Sequence, residues 1–166
     1  MVNGSAISRL EIIRELERVS GKEALNSLIN KRLIEEEARK QGIVITSEEI
    51  EQEIKNIESN LSQQGGSLEQ TLAMQGMQRS GLEMQILVNK KVQRILEDKV
   101  NITEGEVDEH IKSYKLTPPK GEEKQFRDKI KEQLKGQKFN KEASAWLEQL
   151  RSGAVIRYFV EYGEIK

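Results

Sequence analysis

One local pattern occurs three times in the 166 residues, and it constrains the fold more than any other feature. Ile7-Ser8-Arg9-Leu10-Glu11-Ile12, Ile45-Thr46-Ser47-Glu48-Glu49-Ile50 and Ile102-Thr103-Glu104-Gly105-Glu106-Val107 share one arrangement. A Ser or Thr is followed three residues later by Glu, with apolar residues just before it and four positions after it. The hydroxyl can accept from the Glu backbone N–H while the Glu carboxylate reaches back to the cap N–H. The two apolar residues can pack together outside the first turn, so each copy is a capping box with a hydrophobic staple. Three such starts commit the chain to helices. Their unequal spacing argues against a solenoid repeat.

The rest of the chain parses from these starts. A first helix is expected from about Arg9 to Val19, punctuated by Ser20-Gly21, and a second from Lys22 to Gln41 with a stop at Gly42. The third follows Thr46 and fades at Gln63-Gln64-Gly65-Gly66; its Ile50, Ile54, Ile57 and Leu61 recur at helical spacing. A short fourth begins after Ser67 and ends near Gly76. The fifth, Gly81 to Lys99, carries Met84, Val88, Val92, Ile95 and Leu96 on one face and Leu82, Ile86 and Leu87 elsewhere, which predicts a central position. A sixth starts at Thr103. Pro118, Pro119 and Gly121 then make a firm break. A long last helix reaches Arg151, with one apolar stripe at Phe126, Ile130 and Leu134 and another, nearly opposite, at Phe139, Ala143, Trp146 and Leu150. Gly136 between the stripes predicts a kink or two halves with different packing partners.

Ala154 to Tyr162 changes character: it is rich in β-branched and aromatic residues and bounded by Gly153 and Gly163, the composition of a strand. A strand needs a partner for its backbone, and the segment from Val2 to Ile7 is the available one. The expected fold is therefore mainly α, multi-helical, with a small β-sheet pairing the N-terminal and C-terminal strands. Residues 1–114 form the first helical region, 115–121 a short linker, and 122–166 a closing helix and strand of the same core.

Composition excludes several functions. Acidic and basic residues nearly cancel, at a net charge of −1, so no electrostatic case exists for nucleic acid. No apolar run approaches the ~20 residues that span a bilayer. Without cysteine there is no disulfide, thiolate metal site or thiol nucleophile. The single histidine, His110, sits in a predicted helix beside Asp108 and Glu109, where a surface role is commoner than catalysis. Glu35-Glu36-Glu37 and Glu48-Glu49 are solvated helix charge with no partners for a metal cage. Gly65-Gly66 has neither the preceding strand nor the following Lys-Ser/Thr of a phosphate loop. No catalytic, metal or cofactor site is expected.

The order of these elements resembles the SurA-type and PrsA-type family of exported chaperones. Val2-Asn3-Gly4 followed by Ile7-Ser8 is similar to the family's opening. So are the leucine-rich helix through Leu25 to Ile45, the Thr46-Ser47-Glu48-Glu49-Ile50 start, Leu68-Glu69-Gln70 with Gly76, and Ile86 to Val100. Lys138 to Ile156, with Trp146-Leu147-Glu148-Gln149-Leu150-Arg151, resembles the helix that closes the SurA core. The family carries a parvulin-type prolyl isomerase domain of about a hundred residues before that closing helix. Here only Lys115–Gly121 occupies the place, whereas a domain needs ~50 residues or more.

The resemblance implies a chaperone core alone. It would bind unfolded or extended clients without ATP or other cofactor, lack isomerase activity, and act in the periplasm or cell envelope after removal of an export signal. Secreted or outer-membrane proteins are the clients it implies. Adaptable apolar surface suits such binding, and methionine supplies it. Met74, Met77 and Met84, with Leu72 and Leu82, form the candidate client-binding set, although each of these also suits an aliphatic core poor in aromatics. The alternative is a helical assembly module that uses up its apolar surface in self-association, as a homodimer exchanging the C-terminal arm across the Pro118-Pro119 hinge. A trigger-factor-like holdase in the cytosol is a third reading, separated from the first by compartment.

Overall fold

A computed structural model describes residues 1–159 and contains six α-helices among them. They are α1 (Arg9–Lys40), α2 (Ser47–Gln63), α3 (Leu68–Met74), α4 (Arg79–Ile95), α5 (Glu104–Ser113) and α6 (Glu123–Gly153), with a single 3₁₀ turn at Glu97–Lys99. All three capping boxes form. Ser8 Oγ accepts from Glu11 N at 3.1 Å while Glu11 accepts from Ser8 N at 2.7 Å. The corresponding pairs are 3.3 and 2.9 Å for Thr46 and Glu49, and 3.2 and 2.7 Å for Thr103 and Glu106.

Helix ends follow an equally regular rule. Ile43 N bonds Ala38 O at 2.8 Å and Gly42 N bonds Arg39 O at 3.1 Å, the paired bonds of a Schellman motif closing α1. The same pairs close α2 at Gly65-Gly66 and α3 at Gly76-Met77. At α5 the left-handed position is filled by Lys115, at φ 50°, not by glycine.

The first two expected helices are one. α1 runs unbroken for 32 residues through Ser20-Gly21. A mid-helix glycine costs only ~1 kcal/mol against alanine, and no proline accompanies it, so propagation through the pair wins over a break. The last helix is likewise continuous through Gly136, and its halves have different partners. Trp146, Phe139, Ala143, Leu147 and Leu150 join Ile34, Val92, Leu96 and Val100 in the principal core. The first half of α6 lies against α5, where Val107 and Ile130 are buried.

A second core links α2, α3 and α4 through Ile54, Leu68 and Ile86, flanked by Ile50, Ile57, Leu61, Leu72 and Leu82. Helix α4 serves both cores, Val88, Val92 and Ile95 facing one and Leu82 and Ile86 the other. That is the physical content of its wide apolar arc.

The expected pairing of the chain ends is absent among the described residues, which contain no strand. Val2 instead pairs locally with Ser5, N to O at 2.9 and 3.0 Å, across Asn3 and Gly4, both at positive φ. A two-residue turn of that handedness satisfies the backbone without a remote partner. Residues 154–159 continue past α6 without helix; positions 160–162 of the expected strand lie outside the described residues.

Candidate polypeptide-binding surface

The end of α6 is fixed to α1 by Arg151. Its Nη1 donates to Asn30 Oδ1 at 2.7 Å and its Nη2 to Asn26 Oδ1 at 2.8 Å, both half-buried. Asn26 and Asn30 are four apart, so one guanidinium fork spans two successive turns of one helix face. Beyond this clamp residues 153–157 lie beside α1. An open cleft of about 690 Å³ results, floored by Leu25, Ile29, Leu33, Leu150 and Ile156. Leu28 and Val155, also lining it, are 59% and 88% exposed. Arg32, Glu36, Lys40 and Arg157 bring charges of both signs to its rim.

A second cleft, of about 440 Å³, lies between α2, α4 and α6. Val100 and Phe139 contribute to its lining, but Glu49, Lys90, Arg94, Glu97, Glu132 and Lys135 surround them. Arg94 is already engaged: Nη1 donates to Val44 O at 2.6 Å and Nη2 to Glu49. The first cleft is the more apolar of the two, and its own charges include Lys40, paired with Glu36 and Glu37 along α1.

The α5–α6 contact carries its own electrostatics. Lys131 Nζ and Arg127 Nη2 both donate to Glu104, at 2.8 and 2.9 Å, and Arg127 Nη1 donates to Asp108 at 2.6 Å. Lys131 first and Arg127 second hold the Glu104 carboxyl below the ordinary range. Glu106 is held low chiefly by the Thr103 backbone N–H and then by Lys138. These exposed groups orient helices. His110 packs against Tyr114 at the end of α5, ring centroids 4.6 Å apart and tilted by 38°, and among the described residues no group of three or more His, Asp and Glu could hold a metal.

The five candidate client-binding residues divide. Leu72 and Leu82 pack against the second core. Met77 is half-buried, with its Cγ 3.2 Å from where a side chain on Gly81 would begin. Met74 and Met84 are exposed, at 89% and 41%. The apolar cleft at Leu25–Ile156 is not among the sequence expectations, because the helical spacing of Leu25, Ile29 and Leu33 gives a helix face without saying what covers it. The signal available was the apolar segment after Gly153, which must lie against something.

No described helix is long and apolar enough to cross a membrane. Searches of curated proteins and of solved structures returned no match to the chain. The family model for the SurA-like N-terminal domain matches residues 14–101, from the first third of α1 to just past the 3₁₀ turn after α4. That match covers more than half of the sequence, so this chain belongs to the SurA-like N-terminal domain family.

Proposed function

We propose that the protein is an ATP-independent chaperone that holds unfolded or partly folded exported polypeptides against the apolar cleft between α1 and the segment after α6. The observation that carries the reading is that cleft: an open floor of aliphatic side chains, rimmed by charges of both signs, on a member of a chaperone family. Aliphatic contact without a deep specificity pocket gives weak and broad binding, because apolar burial is proportional to area and indifferent to sequence. Mixed rim charges impose no preference for acidic or basic clients.

The same family membership supports work outside the cytoplasm, in the periplasm or cell envelope, with outer-membrane-type proteins as the client class. Prolyl isomerase activity is expected to be absent. Support comes from the connection between α5 and α6, where only residues 114–122 intervene. Met74 at the end of α3 and Met84 on α4 are also exposed and are accessory contacts in this reading.

A photoreactive side chain at Val155 should crosslink to an unfolded outer-membrane-type protein, whereas one at Lys90 in the charged cleft should not. Equal labelling at both positions would remove the cleft from the account. Exchange of the C-terminal arm between protomers is the alternative, with the connector at Pro118-Pro119 as its hinge. Under that reading the photoprobe at Val155 labels the sister chain in place of the client.

A further inference from the structure

The N-terminal half of α1 carries the longest run of uncovered apolar side chains among the described residues. Ile7, Leu10, Ile12, Ile13, Leu16 and Val19 are all exposed, Leu16 at 61%. Every described residue before Gly21 is exposed, while the helix beyond it joins the principal core through Ile34. A helix of this length extends ~1.5 Å per residue, so the first three turns project as an arm. Together the six side chains leave roughly 600 Å² open, at the upper end of the largest patch of an ordinary monomer.

The pattern on this arm says what covers it. Arg9, Ile12, Leu16, Val19 and Glu23 follow one another at spacings of three, four, three and four, so they share one face. The charged ends of the set are equidistant from Leu16. Ile12 and Val19 flank it within a turn, and Arg9 and Glu23 close it seven residues away on either side. Neither Arg9 nor Glu23 has an ion-pair partner among the described residues.

We infer that this face pairs with the same face of a second copy of the chain, antiparallel, about a two-fold axis through Leu16. In that register Leu16 meets its symmetry mate, Ile12 lies across from the partner's Val19-Ser20 turn, and Arg9 meets the partner's Glu23 at both ends. An isologous contact requires a self-complementary patch. A stripe with a cation at one end, an anion at the other and apolar residues between is self-complementary only when antiparallel. Of the six exposed side chains Ile12, Leu16 and Val19 lie on this face, so the pairing covers about half of the apolar area that the two arms expose. A generic client would have no reason to match charges at fixed positions. The inference is independent of the client cleft, which lies further along α1.

The chain has no native cysteine, which makes the geometry directly testable. Packed helices lie 8–10 Å apart, and subtracting two backbone radii of ~2.3 Å leaves Cα atoms about 4–5 Å apart at a two-fold contact, within disulfide reach. Leu16→Cys in the full chain should oxidise to a covalent dimer at micromolar concentration, and Leu10→Cys should not. By sedimentation velocity the unmodified protein should be a dimer, and Leu16→Glu a monomer with unchanged helix content and Trp146 fluorescence. Arg9→Glu and Glu23→Arg should each weaken association at least tenfold, and the double exchange should restore it. A monomer at all accessible concentrations, or a dimer untouched by Leu16→Glu, overturns the pairing. Failure of the double exchange to rescue overturns the antiparallel register. A monomeric Leu16→Glu that still suppresses client aggregation would leave the chaperone reading intact, so the two proposals fail separately.

Discussion

The Thr103 cap joins local helix chemistry to tertiary structure. Its hydroxyl accepts from Glu106 N, its N–H donates to the Glu106 carboxylate, and Lys138 Nζ on α6 reaches both Glu106 at 3.1 Å and Asn101 O at 2.8 Å. Removing the hydroxyl in Thr103→Ala should destabilise the fold by about 1 kcal/mol, seen as a lower urea midpoint with unchanged slope. The carboxyls of Glu11, Glu104 and Glu106 are all held below their ordinary range by hydrogen bonds. Their folded pKa values are depressed, so the stability they contribute is present above the unfolded carboxylate pKa, about 4.3 for Glu. It is lost as pH falls through the depressed folded values. Stability should therefore stay level from neutral pH to about pH 5 and decline below it. Glu104→Gln should flatten part of that decline in acid titrations followed by circular dichroism.

Among the helices, α6 joins two packing environments through one glycine. Gly136 is helical, and a Cβ there would meet nothing within 4 Å. Gly136→Ala should thus raise stability by up to about 1 kcal/mol through helix propensity, or roughly 2–4 °C in Tm for a chain this size. An unchanged or lower Tm would mean that the glycine serves the charged cleft it lines. The element boundaries were largely legible because their causes are local. Ser8, Thr46 and Thr103 cap, Gly42, Gly65 and Gly76 terminate, and each motif lies within six residues. The fusion of α1 was not legible: Ser20-Gly21 lowers helix propensity, but whether the helix breaks depends on the flanking turns together. Nor was the split of Leu72 and Leu82 from Met74 and Met84. The i, i+3, i+4 spacing reports a helix face, but which face meets a neighbour is set by distant residues such as Ile54 and Ile86.

At the scale of the whole molecule, α4 serves two cores and α6 closes one of them. The principal core depends on Trp146, which is buried, and on the Arg151 clamp one turn later. Arg151→Lys should cost about 1.5–3 kcal/mol, because an ammonium cannot span both Asn26 and Asn30, and charge-assisted hydrogen bonds of this kind are worth that much. Trp146, the single tryptophan, reports the transition by fluorescence. The clamp also holds the cleft in shape, so Arg151→Lys should weaken client capture more than its effect on the folded fraction accounts for. The cleft was the least legible feature, since it arises only when residues more than a hundred positions apart in sequence are brought together. The most direct test is the light scattering of an unfolded outer-membrane-type protein as it aggregates, with a stoichiometric amount of this chain and no ATP. Leu28→Asp with Val155→Asp serves as the comparison, both sites being exposed enough to leave the fold intact. The account predicts suppression by the unmodified chain and its loss in the double variant. No suppression by a folded sample, or equal suppression by both proteins, would contradict it.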